Sequence, residues 1–222
     1  MKKRGTSRFL SVLLTLCVAL SVASVSANAE DQVFTDVPEG AWYFDAVNYS
    51  YMWGLMNGTG DDKFEPNANL DRGMIVTILY RYEGEPGVAG LDNPFTDVPE
   101  GTWYTDAVKW AAANNIVNGY GDGRFGPNDA VTKEQMALLV YRIGESGGMM
   151  PPTMGAGRDF RDLATVNDWA YDAVSKLNDM GVFVNLPGEN FRPNIPATRA
   201  EVASILYRYI VIMSAVNDGF SG

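Results

Sequence analysis

Three basic residues, Arg72, Lys133 and Arg199, each directly follow a residue suited to start a helix: Asp71, Thr132 and Thr198. A helix start has unpaired N–H groups and the positive end of the backbone dipole, so acids are favoured there and a cation is mildly unfavourable. A base at all three places has two explanations. Either the exposed N–H groups and the side chain together receive an anion such as a carboxylate or phosphate, or the long side chain folds back onto an acid such as Asp36, Asp97 or Asp162. In the first case Arg199→Ala weakens anion binding and leaves thermal stability nearly unchanged; in the second it costs stability. Three tryptophans, Trp42, Trp103 and Trp169, offer flat faces that suit the C–H face of a sugar, or else anchor a small core between helices.

Other chemistry finds little to work with. The chain has no histidine and a single cysteine, Cys17, which lies in an apolar stretch near the start. Histidine-based triads, cysteine nucleophiles and His-ligated zinc are thereby excluded. Carboxylate pairs for glycoside hydrolysis are conceivable among Asp36, Asp45, Asp97 and Asp106. These acids, however, sit at equivalent places in repeated segments, whereas an active site is normally unique, so no catalytic residue and no cofactor is expected. Gly121-Asp122-Gly123 invites a calcium loop but lacks the spaced acids and closing glutamate of one; a plain turn is expected and no metal.

The elements that must position these residues recur. Phe34-Thr35-Asp36-Val37-Pro38-Glu39-Gly40 returns as Phe95-Thr96-Asp97-Val98-Pro99-Glu100-Gly101 and more loosely as Phe160-Arg161-Asp162-Leu163, with periods of 61 and 65 residues. Each is followed by its tryptophan and an Asp-Ala-Val, then by Phe64-Glu65-Pro66-Asn67, Phe125-Gly126-Pro127-Asn128 or Phe191-Arg192-Pro193-Asn194, and last by Tyr80-Arg81, Tyr141-Arg142 or Tyr207-Arg208. Ala107, Val108, Ala111, Ala112 and Ile116 share helical spacing after Trp103. Asn118-Gly119-Tyr120-Gly121 reads as turns, and the Phe-x-Pro that follows permits only a short extended piece. A second helix starts at each of Asp71, Thr132 and Thr198, where Thr132 with Gln135 and Thr198 with Glu201 form capping boxes. One such helix-loop-helix unit has too small a core to fold alone, so the three are expected to pack together.

The first 29 residues read as a secretory signal: Lys2, Lys3, Arg4 and Arg8, an apolar run from Phe9 to Val25, and small residues at Ala27-Asn28-Ala29. Removing its four basic residues from the 17 Lys and Arg leaves 13 against 27 Asp and Glu, a net charge of −14. So acidic a chain, without a basic stripe, is repelled by phosphate backbones, and no nucleic-acid partner is expected. Integral membrane contact is not expected either, since the apolar run is short and broken by Ser11, Thr15, Ser21 and Ser24.

Phe-x-Asp-Val, then Trp, a glycine-rich connector, Phe-x-Pro-Asn and a closing Thr198-Arg199-Ala200-Glu201 resemble the S-layer homology repeat of bacterial cell-surface proteins. The second copy closes on Thr132-Lys133-Glu134-Gln135 and the first on Asp71-Arg72-Gly73-Met74. The resemblance implies a mainly α fold: three helix-loop-helix repeats, at 30–84, 95–145 and 158–213, packed as a pseudo-threefold bundle with short extended segments in the loops. Linkers then fall at 85–94 and 146–157 and a tail at 214–222. It also implies a secreted, wall-associated, non-catalytic module that binds secondary cell-wall polysaccharide, often pyruvylated, in grooves between repeats, with another surface protein as a further partner. Carried over to this chain, Arg72, Lys133 and Arg199 receive the carboxylate. Trp42, Trp103 and Trp169, with Asp36, Asp97 and Asp162, shape or contact the sugar. The alternative is a structural surface protein acting through protein–protein contacts. Given the first copy's lost capping partner and the third copy's connector, Asn185-Leu186-Pro187-Gly188, three copies are not expected to give three equal grooves.

Overall fold

The computed structural model describes residues 33–147 and 155–219. The signal segment with Cys17, the run Met149 to Pro152 and the last three residues lie outside the described residues.

Six α-helices form two per repeat: α1 Phe44–Met52 and α2 Arg72–Tyr82, α3 Thr105–Ala113 and α4 Lys133–Ser146, α5 Asp168–Asp179 and α6 Arg199–Gly219. A 3-10 turn, Leu163–Thr165, precedes α5. The described residues hold isolated β-bridges and no strands. The second helices begin where local chemistry places them. Asp71 accepts from the Met74 N–H at 2.6 Å, and Thr132 and Gln135 cap each other reciprocally, as do Thr198 and Glu201.

The helices do not pair within repeats. α2 packs on α3, α4 on α5, and α6 returns to pack on α1, so each pair joins the second helix of one repeat to the first helix of the next. Tyr80 meets Trp110 with ring centroids 5.5 Å apart, Tyr207 meets Tyr49 at 5.0 Å, and Lys176 Nζ sits 5.1 Å over Tyr141 at the equivalent third place. Short helices like α1 and α3 are marginal alone and depend on such packing.

At the centre, the segments just before the second helices close a ring. The Leu70 N–H donates to Ala197 O (2.9 Å), Ala197 to Val131 O (2.8 Å) and Val131 to Leu70 O (3.0 Å). One residue from each repeat therefore serves as both donor and acceptor. Around the ring lies one continuous core drawn from all three repeats, with Phe64, Phe125 and Phe191 fully buried at equivalent positions.

Candidate functional site

The Phe-x-Pro-Asn loops position the site. In each repeat an aspartate some 28 to 30 residues upstream clamps the loop by accepting two backbone N–H groups. Asp36 takes those of Phe64 and Glu65 (both 2.8 Å), Asp97 those of Phe125 and Gly126 (2.7 and 2.8 Å), and Asp162 those of Phe191 and Arg192 (both 2.7 Å). The clamped residue adopts a left-handed backbone, φ 55° at Glu65, 73° at Gly126 and 59° at Arg192. At Gly126 a Cβ would also lie 2.4 Å from Asp129 Oδ2, so a side chain there would have to displace Asp129 and Tyr120.

Each clamped loop then plugs the start of the preceding repeat's second helix. Arg72 and Gly73 donate to Asp129 O and Pro127 O, Lys133 and Glu134 to Ile195 O and Pro193 O, and Arg199 and Ala200 to Ala68 O and Pro66 O, all at 2.8–3.1 Å. The third N–H goes to the cap side chain. The expectation of exposed helix N–H groups ready for an anion is thus overturned: backbone carbonyls of a neighbouring repeat already occupy them.

The basic side chains are buried and do not pair with Asp36, Asp97 or Asp162. Arg72 donates from Nε to Phe125 O (2.8 Å) and from Nη2 to Asn118 O (3.2 Å), and its guanidinium lies 4.7 Å over Phe125 and 4.9 Å over Tyr120. Arg199 repeats the arrangement on the first repeat, with Nε and Nη2 each 2.6 Å from Phe64 O and Asn57 O and its guanidinium 4.4 Å over Phe64. In both, Nη1 has no partner among the described residues. Burial draws both guanidiniums below the ordinary arginine value. Tyr120, Asp129 and Asp97 offset this for Arg72, as do Glu65 and Asp36 for Arg199. Lys133 differs: its Nζ sits 2.5 Å from Glu201 Oε1 in a buried ion pair.

Two open grooves result. One is bounded by the connector around Asn118, by Gln135 and Arg142 of α4, by Arg72 of the first repeat and by Trp169 of the third, and has a volume of about 220 Å³. The other is bounded by the connector around Asn57, by Met74 and Arg81 of α2, by Trp103 of the second repeat and by Arg199 of the third, with a volume of about 350 Å³. Repeat equivalence assigns Lys133, Glu201 and Trp42 to the third such place. The tryptophans are not core anchors: Trp42 is 39% exposed, Trp103 59% and Trp169 52%.

The structure therefore brings Arg72 together with Trp169, and Arg199 with Trp103, each pair spanning repeats. It spends Asp36, Asp97 and Asp162 on the loops. Arg81 and Arg142 were visible in the sequence only as helix landmarks, and they supply each open groove with a second guanidinium. Their recurrence in a Tyr-Arg pair was the available signal. Arg142 Nη1 donates to Ile116 O (3.1 Å) and Arg81 Nη1 to Leu55 O (3.3 Å), which fixes both at the groove edge. Gly119 lets the connector approach closely, since a Cβ there would lie 2.4 Å from Arg124 O and 2.7 Å from the Phe95 ring. Asp122 closes its turn onto Arg124, and the described residues contain no acidic cluster suited to a metal ion. Among them, too, no helix is long and apolar enough to cross a membrane.

The model of the S-layer homology domain matches residues 33–73, 94–137 and 159–203, each spanning a clamp aspartate, a tryptophan and a basic helix start. The chain belongs to the S-layer homology family. It is similar to an amylopullulanase of Thermoanaerobacterium thermosulfurigenes (28% identical over 80% of this chain and 9% of the relative). It is likewise similar to the S-layer protein Sap of Bacillus anthracis (28% over 92% of this chain and 24% of the relative). A cellulosome-anchoring protein of Acetivibrio thermocellus is 26% identical over 69% of this chain and 35% of its own length. The chain thus spans about a third or less of the curated relatives it matches. As a member of this family it is a bacterial cell-surface attachment module, the part that its enzyme relatives and its S-layer relatives have in common.

Proposed function

We propose that this S-layer homology protein is a non-catalytic anchor that holds an acidic, pyruvylated secondary cell-wall polysaccharide in its inter-repeat grooves. The observation that carries this reading is the convergence, in both open grooves, of a buried arginine with a free Nη1 and an exposed tryptophan from another repeat. Nη1 donates to the carboxylate in a charge-assisted bond, and the indole takes the apolar sugar face. Asp36, Asp97 and Asp162 shape the grooves by clamping the loops. The chain's negative charge opposes an acidic glycan only at long range, where salt screens it, while the guanidinium acts locally.

Binding to purified wall sacculi, before and after the polysaccharide is stripped, tests the proposal. Stripping abolishes binding if the glycan is the ligand; unchanged binding refutes it. A second reading, a structural protein working through protein–protein contacts, has one observation in its favour. Tyr51, Met52 and Trp53 at the end of α1, and Val211 on α6, which packs on α1, are exposed apolar side chains. Retention on stripped sacculi that is lost in Trp53→Glu would support that reading instead.

A further inference from the structure

The chain contains two Asn-Gly pairs, Asn57-Gly58 and Asn118-Gly119, 61 residues apart, and each lines one of the open grooves. An asparagine before glycine is the pairing most open to attack on its side-chain amide by the next backbone nitrogen, because glycine has no side chain to shield that nitrogen or restrict its approach. The reacting groups are uncommitted. Both asparagines are exposed, and neither their carboxamides nor the N–H groups of Gly58 and Gly119 have a hydrogen-bond partner among the described residues. A bulkier and safer residue does not fit: a Cβ on Gly58 would lie 2.8 Å from Lys63 O, and one on Gly119 2.4 Å from Arg124 O.

The arginines favour the reaction. Arg72 Nη2 donates to Asn118 O (3.2 Å), and Arg199 Nη2 to Asn57 O (2.6 Å). Each of these carbonyls is conjugated to the glycine nitrogen that must lose its proton in order to attack, and a cation at the oxygen stabilises the anion that results. The third repeat has neither part. Counting back from Phe191 puts Val184-Asn185 at the place of the pair, and Lys133 is held by Glu201 instead.

We propose that Asn57 and Asn118 are sites of self-modification, where deamidation to isoaspartate closes the two open grooves as the protein ages. The Gly119 nitrogen, deprotonated by hydroxide, bonds to the side-chain carbonyl carbon of Asn118, and the bond from that carbon to the amide nitrogen breaks. Ammonia leaves with a proton from water, and a cyclic imide remains. Water then adds to the former backbone carbonyl carbon of Asn118, the one that Arg72 polarises, and breaks its bond to Gly119. Asparagine and water have become isoaspartate and ammonia, with no change of oxidation state. The chain now runs through the side-chain carbon. The new carboxylate stands where Arg72 held the carbonyl, pairs with the guanidinium in a charge-assisted bond and competes with an acidic ligand. Asn57 reacts alike beside Arg199. The modification is independent of the proposed glycan function; only the closure rests on it.

Incubation of the full chain in warm, mildly alkaline buffer, folded and in guanidinium chloride, tests the proposal. Peptide mass spectrometry with isoaspartyl methyltransferase labelling follows each asparagine. Asn57 and Asn118 are expected to convert at least as fast folded as unfolded, chiefly to isoaspartate and ahead of every other asparagine. Arg72→Met is expected to slow Asn118 relative to Asn57 in the same molecules about tenfold, the effect of one opposite charge on the loss of a proton. Slower conversion in the folded protein than in denaturant, or a ratio of the two rates that Arg72→Met leaves unchanged, overturns the modification. If Arg72→Met does not fold, the comparison with denaturant decides alone. Aged protein is expected to lose binding to sacculi in proportion to its isoaspartate, and binding that persists overturns the closure. Fresh protein that fails to bind sacculi refutes the glycan function and leaves the modification standing.

Discussion

Arg72 and Arg199 each hold a neighbouring repeat with Nε and Nη2, line a groove, and have no partner for Nη1 among the described residues. Under the proposed function, anchoring and binding are combined in one side chain, and Arg199→Ala is now expected to cost stability as well as binding. The change removes two charge-assisted hydrogen bonds and strands the carbonyls of Phe64 and Asn57, a loss of about 3 kcal/mol on denaturant unfolding. Function is better probed at the exposed tryptophans. Trp103→Ala and Trp169→Ala are expected to weaken pyruvylated sugar at their grooves about tenfold with little change in melting temperature. Trp42→Ala should leave binding unchanged, because Glu201 already neutralises Lys133 at the third place. Titration with equal losses for all three tryptophans would refute that asymmetry. The base and the tryptophan were legible from repetition alone. Which base meets which tryptophan was not, since Arg72 and Trp169 lie in different repeats and only the packing brings them together.

The second helices were legible almost to the residue because their starts are set locally, by Asp71, Thr132 and Thr198. What fills the remaining N–H groups was hidden: the donors of Arg72 and Gly73 find carbonyls more than fifty residues downstream. The clamp aspartates were misleading for the same reason, as an acid near a base reads as an ion pair until its distant backbone partners are seen. The Asp71 cap gives a pH test. Burial raises its carboxyl above the ordinary value, against the lowering effect of the Met74 and Gly73 backbone amides beside it. The folded state thus holds this proton more tightly than the unfolded one. The associated stabilisation is complete below the unfolded value and is lost as pH rises through the folded one. Asp71→Asn, which keeps a good cap, should therefore equal or exceed the original protein in stability at pH 7 and lose that advantage as the pH falls to about 3. Asp71→Ala should cost about 1 kcal/mol at pH 7. Urea midpoints across this range measure both, and an advantage for asparagine that grows on acidification would contradict the assignment.

Across the whole molecule, the pairing of α6 with α1 and the Leu70–Val131–Ala197 ring turn a linear array into a closed one. Open arrays of repeats fray from their ends; a closed ring has no end from which to start. The amides of Leu70, Val131 and Ala197 are accordingly expected to exchange with one common opening free energy, equal to that of global unfolding. Hydrogen exchange that ranks them more than about 1 kcal/mol apart would show repeats opening independently.

Closure also dictates when the protein can finish folding. Arg199 reaches Phe64 across 135 residues of chain, and α1 packs on α6, so the first repeat cannot settle until the last is available. A long-range requirement of this kind slows folding. The grooves between repeats therefore form together, once the last repeat is in place, rather than one at a time.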